Sequence, residues 1–212
     1  MSAGPPGGPD AADLPGPLHA DALARLREWV APDEAQEVLR RRYVGHLATH
    51  PLGLTRDCRP DHVTASTLVL DADRGRVLLT LHAKAQRWFQ LGGHCEPDDP
   101  TLVAAARREA LEESGLVADA LRVDPVPVQL SEHAVPFCHV DGDPAPGDAA
   151  STTHHLDVRF VAVAAPGAEH ALSAESLDLR WWPVDALPVT TADPQPDLVH
   201  LVRLARARLG TR

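Results

Sequence analysis

The sequence predicts a mixed α+β or α/β sandwich built around one long helix in mid-chain, and three observations predict it. Two β-rich runs, HVTASTLVLD (62–71) and RVLLTLHA (76–83), are joined through Asp and Gly in the manner of a hairpin. Residues 100–114 are rich in alanine and other helix formers and stop at Gly115. Further strand-like runs follow, and PDLVHLVRLARARLG then closes the chain as an amphipathic helix ended by Gly210.

In chain order, residues 1–17 carry Pro and Gly without apolar periodicity and read as a disordered leader. Residues 18–53 read as an N-terminal helical extension. Its first helix begins at Leu18; a second follows Pro32, with Asp33 and Glu34 in its first turn and an apolar face of Ala35, Val38, Leu39, Tyr43, Val44 and Leu47. The extension either covers the sheet or forms a homodimer surface. Residues 54–212 make the main domain. RWFQL (87–91) is a short strand leading into glycines. LRVDPVPVQLSEHAV (121–135), HLDVRFVAVAA (155–165) and LDLRWWPV (177–184) are strand-like, and residues 139–153 form a Gly/Pro/Asp-rich loop.

Composition narrows the function. The net charge of −10 opposes binding to a nucleic-acid polymer, which needs basic surface to displace counterions, but not to a small phosphorylated molecule reached through metal ions. No stretch has the roughly 20 apolar residues of a membrane span. The first residues lack the basic flank and apolar core of a signal peptide, so a cytoplasmic protein is expected. Cys58, Cys95 and Cys138 form no C-x-x-C pair and are expected to be free thiols.

The mid-chain helix carries the chemistry. At about 100° per residue, Glu109, Glu112 and Glu113 share one face beside an apolar stripe of Val103, Ala106 and Ala110. Asp99 is placed to cap this helix and Pro100 to sit in its first turn. Like charges at i and i+4 destabilise a helix by a few tenths of a kcal/mol, and carboxylates near its C-terminal end oppose the macrodipole. Arg108 can offset Glu112 one turn on; the remaining charge suits a hard divalent cation, against the plainer alternative of a solvated helix face.

With the glycines upstream, the segment resembles a Nudix box, the G-x5-E-x7-R-E-U-x-E-E-x-G-U signature of Nudix hydrolases, where U is a bulky aliphatic. Gly93 matches the opening glycine and REALEESGL (108–116) the closing half. Asp99 stands where the family has Glu, eight residues rather than seven separate it from Arg108, and Ala110 is smaller than the usual aliphatic. The resemblance implies an α/β/α sandwich with a mixed sheet, here carrying the helical extension. It implies a hydrolase of phosphoanhydride bonds in nucleoside diphosphate derivatives or related small molecules, with Mg2+ or Mn2+ as cofactor. Carried over by position, Glu109, Glu112, Glu113 and the Gly92 carbonyl would be metal ligands. Arg108 would hold the acidic residues in place together with Asp99, and one carboxylate would help deprotonate water.

Other residues are candidates for substrate contact. Lys84 and Arg87 could meet phosphate oxygens. Trp88 could stack on a base, although core packing under the metal helix is the favoured expectation. His94 follows the glycines. His155, Asp157 and Arg159 share one face of a strand, either lining the cleft or exposed to solvent. Residue type alone would permit a zinc set from His94, Cys95, His154 and His155, but no spacing supports it. Residues 129–153 are the expected seat of substrate selectivity. Two rivals remain, an isopentenyl-diphosphate-isomerase-like enzyme using Cys95 and a non-catalytic nucleotide sensor.

Overall fold

The structure, a computed structural model, describes residues 16–135, 138, 152–172 and 176–210. The leader expected over 1–17 lies outside these residues except for its last two, and Pro17 already opens helix α1 (Pro17–Glu28). The loop expected over 139–153 also lies outside them, apart from Thr152 and Thr153.

Helix α2 spans Glu34–Thr49. Asp33 is its cap, accepting from the Gln36 backbone N–H at 2.9 Å, so the helix starts at Glu34 and not at Pro32. The Asp33 carboxylate thereby satisfies one of the amide donors that every helix start leaves without an intrahelical partner. Tyr43 and Leu47 are buried as expected, whereas Val38 faces solvent. Leu18, Ala22 and Leu26 of α1 join Tyr43 and Leu47 in one cluster with Val63, Ala65, Leu130, Leu156, Val158 and Phe160 of the sheet. Complete burial of Leu26 and Leu47 is worth about 1.5–3 kcal/mol each. The extension therefore covers the sheet. It is also stitched there by polar groups. Trp29 Nε1 donates to the Pro127 carbonyl at 2.6 Å, and Gln36 both donates to and accepts from the Leu130 backbone.

The sheet is mixed. Strand β1 (Asp61–Leu70) and β7 (His154–Ala164) pair in parallel along ten positions, from Asp61↔His154 to Leu70↔Val163. The hairpin expected between β1 and β2 (Arg76–His82) is short: only Val69↔Leu78 and Leu70↔Val77 pair. Farther along, that edge of β1 is taken by β4 (Leu91–His94), antiparallel over Thr64–Thr67. Strand β2 turns instead to β3 (Arg87–Phe89) and β8 (Ser176–Pro183). The outer edge of β7 holds β6 (Gln129–Ala134) and β5 (Leu121–Val123).

Helix α3 (Leu102–Ser114) lies with α1 and α2 against one face of the sheet. Helix α4 (Pro196–Leu209) packs on the other through Leu198, Leu201, Val202 and Ala205, meeting Leu68, Leu70 and Val161. The layers are those of an α/β/α sandwich. Trp88 is partly buried in this second layer, edge-on to Trp182 at 5.2 Å between ring centroids; it packs beside α4 and not under α3. No described helix is long and apolar enough to cross a membrane.

Candidate active site

Helix α3 begins later than its sequence suggests. Thr101 is the N-cap, accepting from the Ala104 N–H at 3.1 Å, and Asp21 of α1 accepts from the Leu102 N–H at 2.9 Å. Asp99 is thereby released from capping and belongs to the turn before the helix, where it accepts from the Glu96 N–H at 2.8 Å. Of the eight residues between Asp99 and Arg108, two precede the helix, and the closing half from Arg108 to Ser114 is continuous helix. Gly115 ends the helix in the left-handed region at φ 64°, donating to the Leu111 carbonyl.

Arg108 organises the acidic face. Nε and Nη2 grip both oxygens of the buried Asp99 at 3.1 and 3.0 Å, the planar fork-to-carboxylate match that fixes a guanidinium's orientation. Nη2 also donates to the His94 carbonyl at 2.9 Å, and Nη1 donates at 3.0 Å to both Glu109 and Glu112. Glu96 lies 3.7 Å from Nη1, an acidic neighbour the sequence reading did not single out. The Asp99 hydrogen bonds, outweighing the cost of burial, hold the Arg108 pKa above its ordinary value. Asp99, which stands where the box has the longer Glu, is thus held by Arg108 from both oxygens. The neighbouring Arg107 reaches the Ala118 carbonyl instead.

The carboxylates differ in environment. Glu112 is more than half exposed. Glu109 is mostly buried, and burial pushes its pKa up; Arg108 opposes this and Glu112 reinforces it. Glu113 accepts from the Gly92 backbone N–H at 2.8 Å, which ties the helix to β4. A Cβ on Gly92 would fall 2.2 Å from the Ser66 Cβ and 2.8 Å from the Ala65 carbonyl oxygen, so only glycine allows β4 so close to β1. Gly92→Ala is expected to cost about 1–3 kcal/mol through overpacking against backbone, read as a lower urea midpoint with unchanged m-value.

Glu109, Glu112 and Glu113 share one helix face and offer the hard oxygen donors that a divalent cation prefers, with Arg108 already balancing part of their charge. The Gly92 carbonyl belongs to the same strand as the amide held by Glu113.

The proposed substrate contacts separate into groups. Lys84 is exposed on the β2–β3 turn. Arg87 forms a two-point ion pair with Asp193. Asp157 and Arg159 are buried at 3% and 5% exposure, so this strand face is not open to solvent. Asp157 accepts from Thr64, Ser66, Gln90 and Arg159, while Arg159 also donates to Gln129 and Asp197. His94 and His155 come together, as T-shaped rings 4.8 Å apart, with His62 of β1. Burial first, then neighbouring charged groups, pushes the His94 pKa down to about 2 and that of His155 to about 3, and lowers that of His62. Cys95 is in the core with its thiol pKa raised by burial, and His154 turns to Asp61 at 3.1 Å. His62 was missed because its place beside His155 depends on the parallel β1–β7 register; the alternation His62-x-Thr64-x-Ser66 was the available signal.

Comparison with known proteins identifies the family. A zebrafish (Danio rerio) protein described as an oxidized purine nucleoside triphosphate hydrolase is 47% identical over 58 residues, 26% of this chain and 36% of that one; the match thus spans about a third of that relative's length. The crystal structure of a C. elegans Ap4A hydrolase binary complex superposes with a TM-score of 0.50 at 17% identity, covering 69% of this chain and 96% of that one. A NUDIX-family hydrolase from Clostridium perfringens gives a TM-score of 0.48 at 24% identity, covering 71% and 99%. The family model for the NUDIX domain matches residues 60–202, well over half of the sequence and including both halves of the box, and the chain accordingly belongs to the Nudix hydrolase family.

Proposed function

We propose that the protein is a metal-dependent hydrolase cleaving a phosphoanhydride bond in a nucleoside diphosphate derivative or a related small phosphorylated molecule. The observation that carries this reading is the Arg108 hub, which holds Glu109 and Glu112 on one side of the helix while Glu113 is anchored at Gly92. Glu109, Glu112 and Glu113, with the Gly92 carbonyl, would hold Mg2+ or Mn2+. Such an ion neutralises phosphate oxygens and lowers the pKa of bound water. Arg108 keeps the carboxylates from splaying apart, and Asp99 keeps Arg108 in place. Glu109, with its pKa raised by burial, accepts a proton more readily than an exposed glutamate at the same pH. In the reaction, water adds its oxygen to one phosphorus, its proton passes to a carboxylate, and the bridging P–O bond breaks.

The name of the zebrafish relative places a nucleoside triphosphate in that protein and favours a nucleotide here. Cys95, closed in the core, gives no support to a thiol-dependent isomerase. A hydrolysis screen across nucleoside diphosphate and triphosphate derivatives, with Mg2+ or Mn2+ and mass analysis of the products, tests the proposal. Turnover of one class identifies the substrate, and the products show which phosphorus is attacked. Binding of a nucleotide without turnover under either metal would replace the hydrolase with a sensor.

A further inference from the structure

A second cluster of metal-ligating side chains lies apart from the glutamates. His62 stands on β1, His94 on β4 and His155 on β7, and Cys138 comes from the segment after β6. One ligand atom from each of the four lies within 4.8 Å of the others. His94 follows Gly93, beside which Glu109 packs, and alternate strand residues face opposite sides of a sheet. The acidic box and the histidine cluster therefore address opposite sides of β4.

The distances among His62, His94 and Cys138 are those of edges of a coordination polyhedron, and a ligand atom of His155 lies within 4.8 Å of all three. Tetrahedral zinc with Zn–N bonds of about 2.05 Å and a Zn–S bond of about 2.3 Å has N···N edges of roughly 3.3 Å and N···S edges of roughly 3.6 Å. Nε2 of His94 lies 3.1 Å from Nε2 of His62, and the Cys138 Sγ lies 3.6 and 3.9 Å from these two nitrogens.

The surroundings point the same way. Nδ1 of His62 is 3.3 Å from the Cys58 carbonyl, a contact that places the proton on Nδ1 and turns the Nε2 lone pair to the centre of the cluster. Among the described residues Nε2 of His155 is buried without a hydrogen-bond partner, a cost that a metal bond would remove. Arg59 donates to the Cys138 carbonyl at 3.0 Å and to the Thr153 hydroxyl at 2.7 Å, a second tie on Cys138 besides the histidines.

We infer that His62, His94, His155 and Cys138 form a His3Cys site for a zinc-type divalent ion that ties Cys138 to β1, β4 and β7. Three imidazoles and a thiolate select a borderline-soft metal over Mg2+, which prefers oxygen. The two sites would then take different ions, and the inference stands whether or not the glutamate box hydrolyses nucleotides.

Cobalt(II) distinguishes the sites, because only a thiolate ligand gives a near-ultraviolet sulfur-to-cobalt charge-transfer band. The full-length chain, stripped by chelator and kept reduced, is titrated with Co2+. One equivalent should produce that band together with the visible d–d absorption of tetrahedral cobalt, and Zn2+ should displace it stoichiometrically. Cys138→Ser should abolish the charge-transfer band. His155→Ala should weaken cobalt binding by roughly 100-fold or more. Glu112→Gln, in the acidic box, should leave the spectrum intact. The inference is overturned if the wild-type chain gives no band, if the band survives Cys138→Ser, or if it disappears in Glu112→Gln. The wild-type titration decides on its own even where a variant folds poorly.

Discussion

Glu113→Gln is expected to lower kcat by on the order of 10²–10⁴-fold, the range by which a positioned acid–base or metal-holding carboxylate accelerates reaction, with its melting temperature almost unchanged. The two halves of this expectation have separate causes. Glutamine retains a carbonyl oxygen at the same reach, so the bond from the Gly92 N–H at 2.8 Å can persist and keep β4 on the helix. Only the negative charge is lost, and charge is what a divalent ion requires. Glu112→Gln should behave alike for a different reason. Glu112 is largely solvated and its pair with Arg108 is a surface pair at i,i+4, worth about 0.3–0.5 kcal/mol, partly regained by relieving the macrodipole. Saturating Mg2+ should restore little of the rate in either variant. The measurement is kcat on the substrate found by the screen, alongside a thermal melt. Both variants turning over at the wild-type rate with wild-type melts would remove the glutamate face from the chemistry.

The acidic face was legible because a helix converts spacing directly into geometry: three glutamates at 109, 112 and 113 lie on one side whatever the rest of the fold does. Its partner Asp99 was less so. A residue that can cap a helix can also sit one turn earlier and pair with an arginine, and the choice depended on Thr101 and on Asp21 from a distant helix. Features that depend on strand register were hidden. His62 meets His155 because β1 and β7 run parallel with those two residues opposite each other, and β4 brings His94 to the same place by pairing with β1. No local pattern encodes either pairing. For the same reason Cys95 and His154 suggested a zinc set on residue type, yet they point to the core and to Asp61, while Cys138 arrives from far along the chain. The sheet order was likewise only half visible. The β1–β2 turn was clear, but the competition of β4 for the same edge of β1 was not.

Arg159→Met should be the most destabilising single substitution on the sheet face beneath α4, costing about 3–5 kcal/mol, because it strands a buried carboxylate rather than removing a surface charge. Asp157 is wholly enclosed. Burial pushes its pKa up, but the Arg159 and His133 charges and the hydrogen bonds from Arg159 and Ser66 together hold it below the ordinary value. Arg159 is equally enclosed and donates at 2.7 Å to Asp197 in the first turn of α4, so its loss also loosens that helix from the sheet. Linkage gives the effect a direction with pH. In the wild type the depressed pKa contributes stability that is full above the unfolded value of about 3.9 and is lost as pH falls through the folded value. Without Arg159, burial dominates, and the Asp157 pKa rises above its unfolded value. Its contribution is then favourable only in acid and is lost as pH rises through the folded value. The stability gap between wild type and variant should therefore be widest near neutral pH and narrow towards pH 4, and adding Asp157→Asn should recover part of the loss at neutral pH. Urea unfolding of the three proteins across this range measures it. A gap independent of pH would mean that Arg159 acts through packing alone, with the charge on Asp157 carrying no part of the cost.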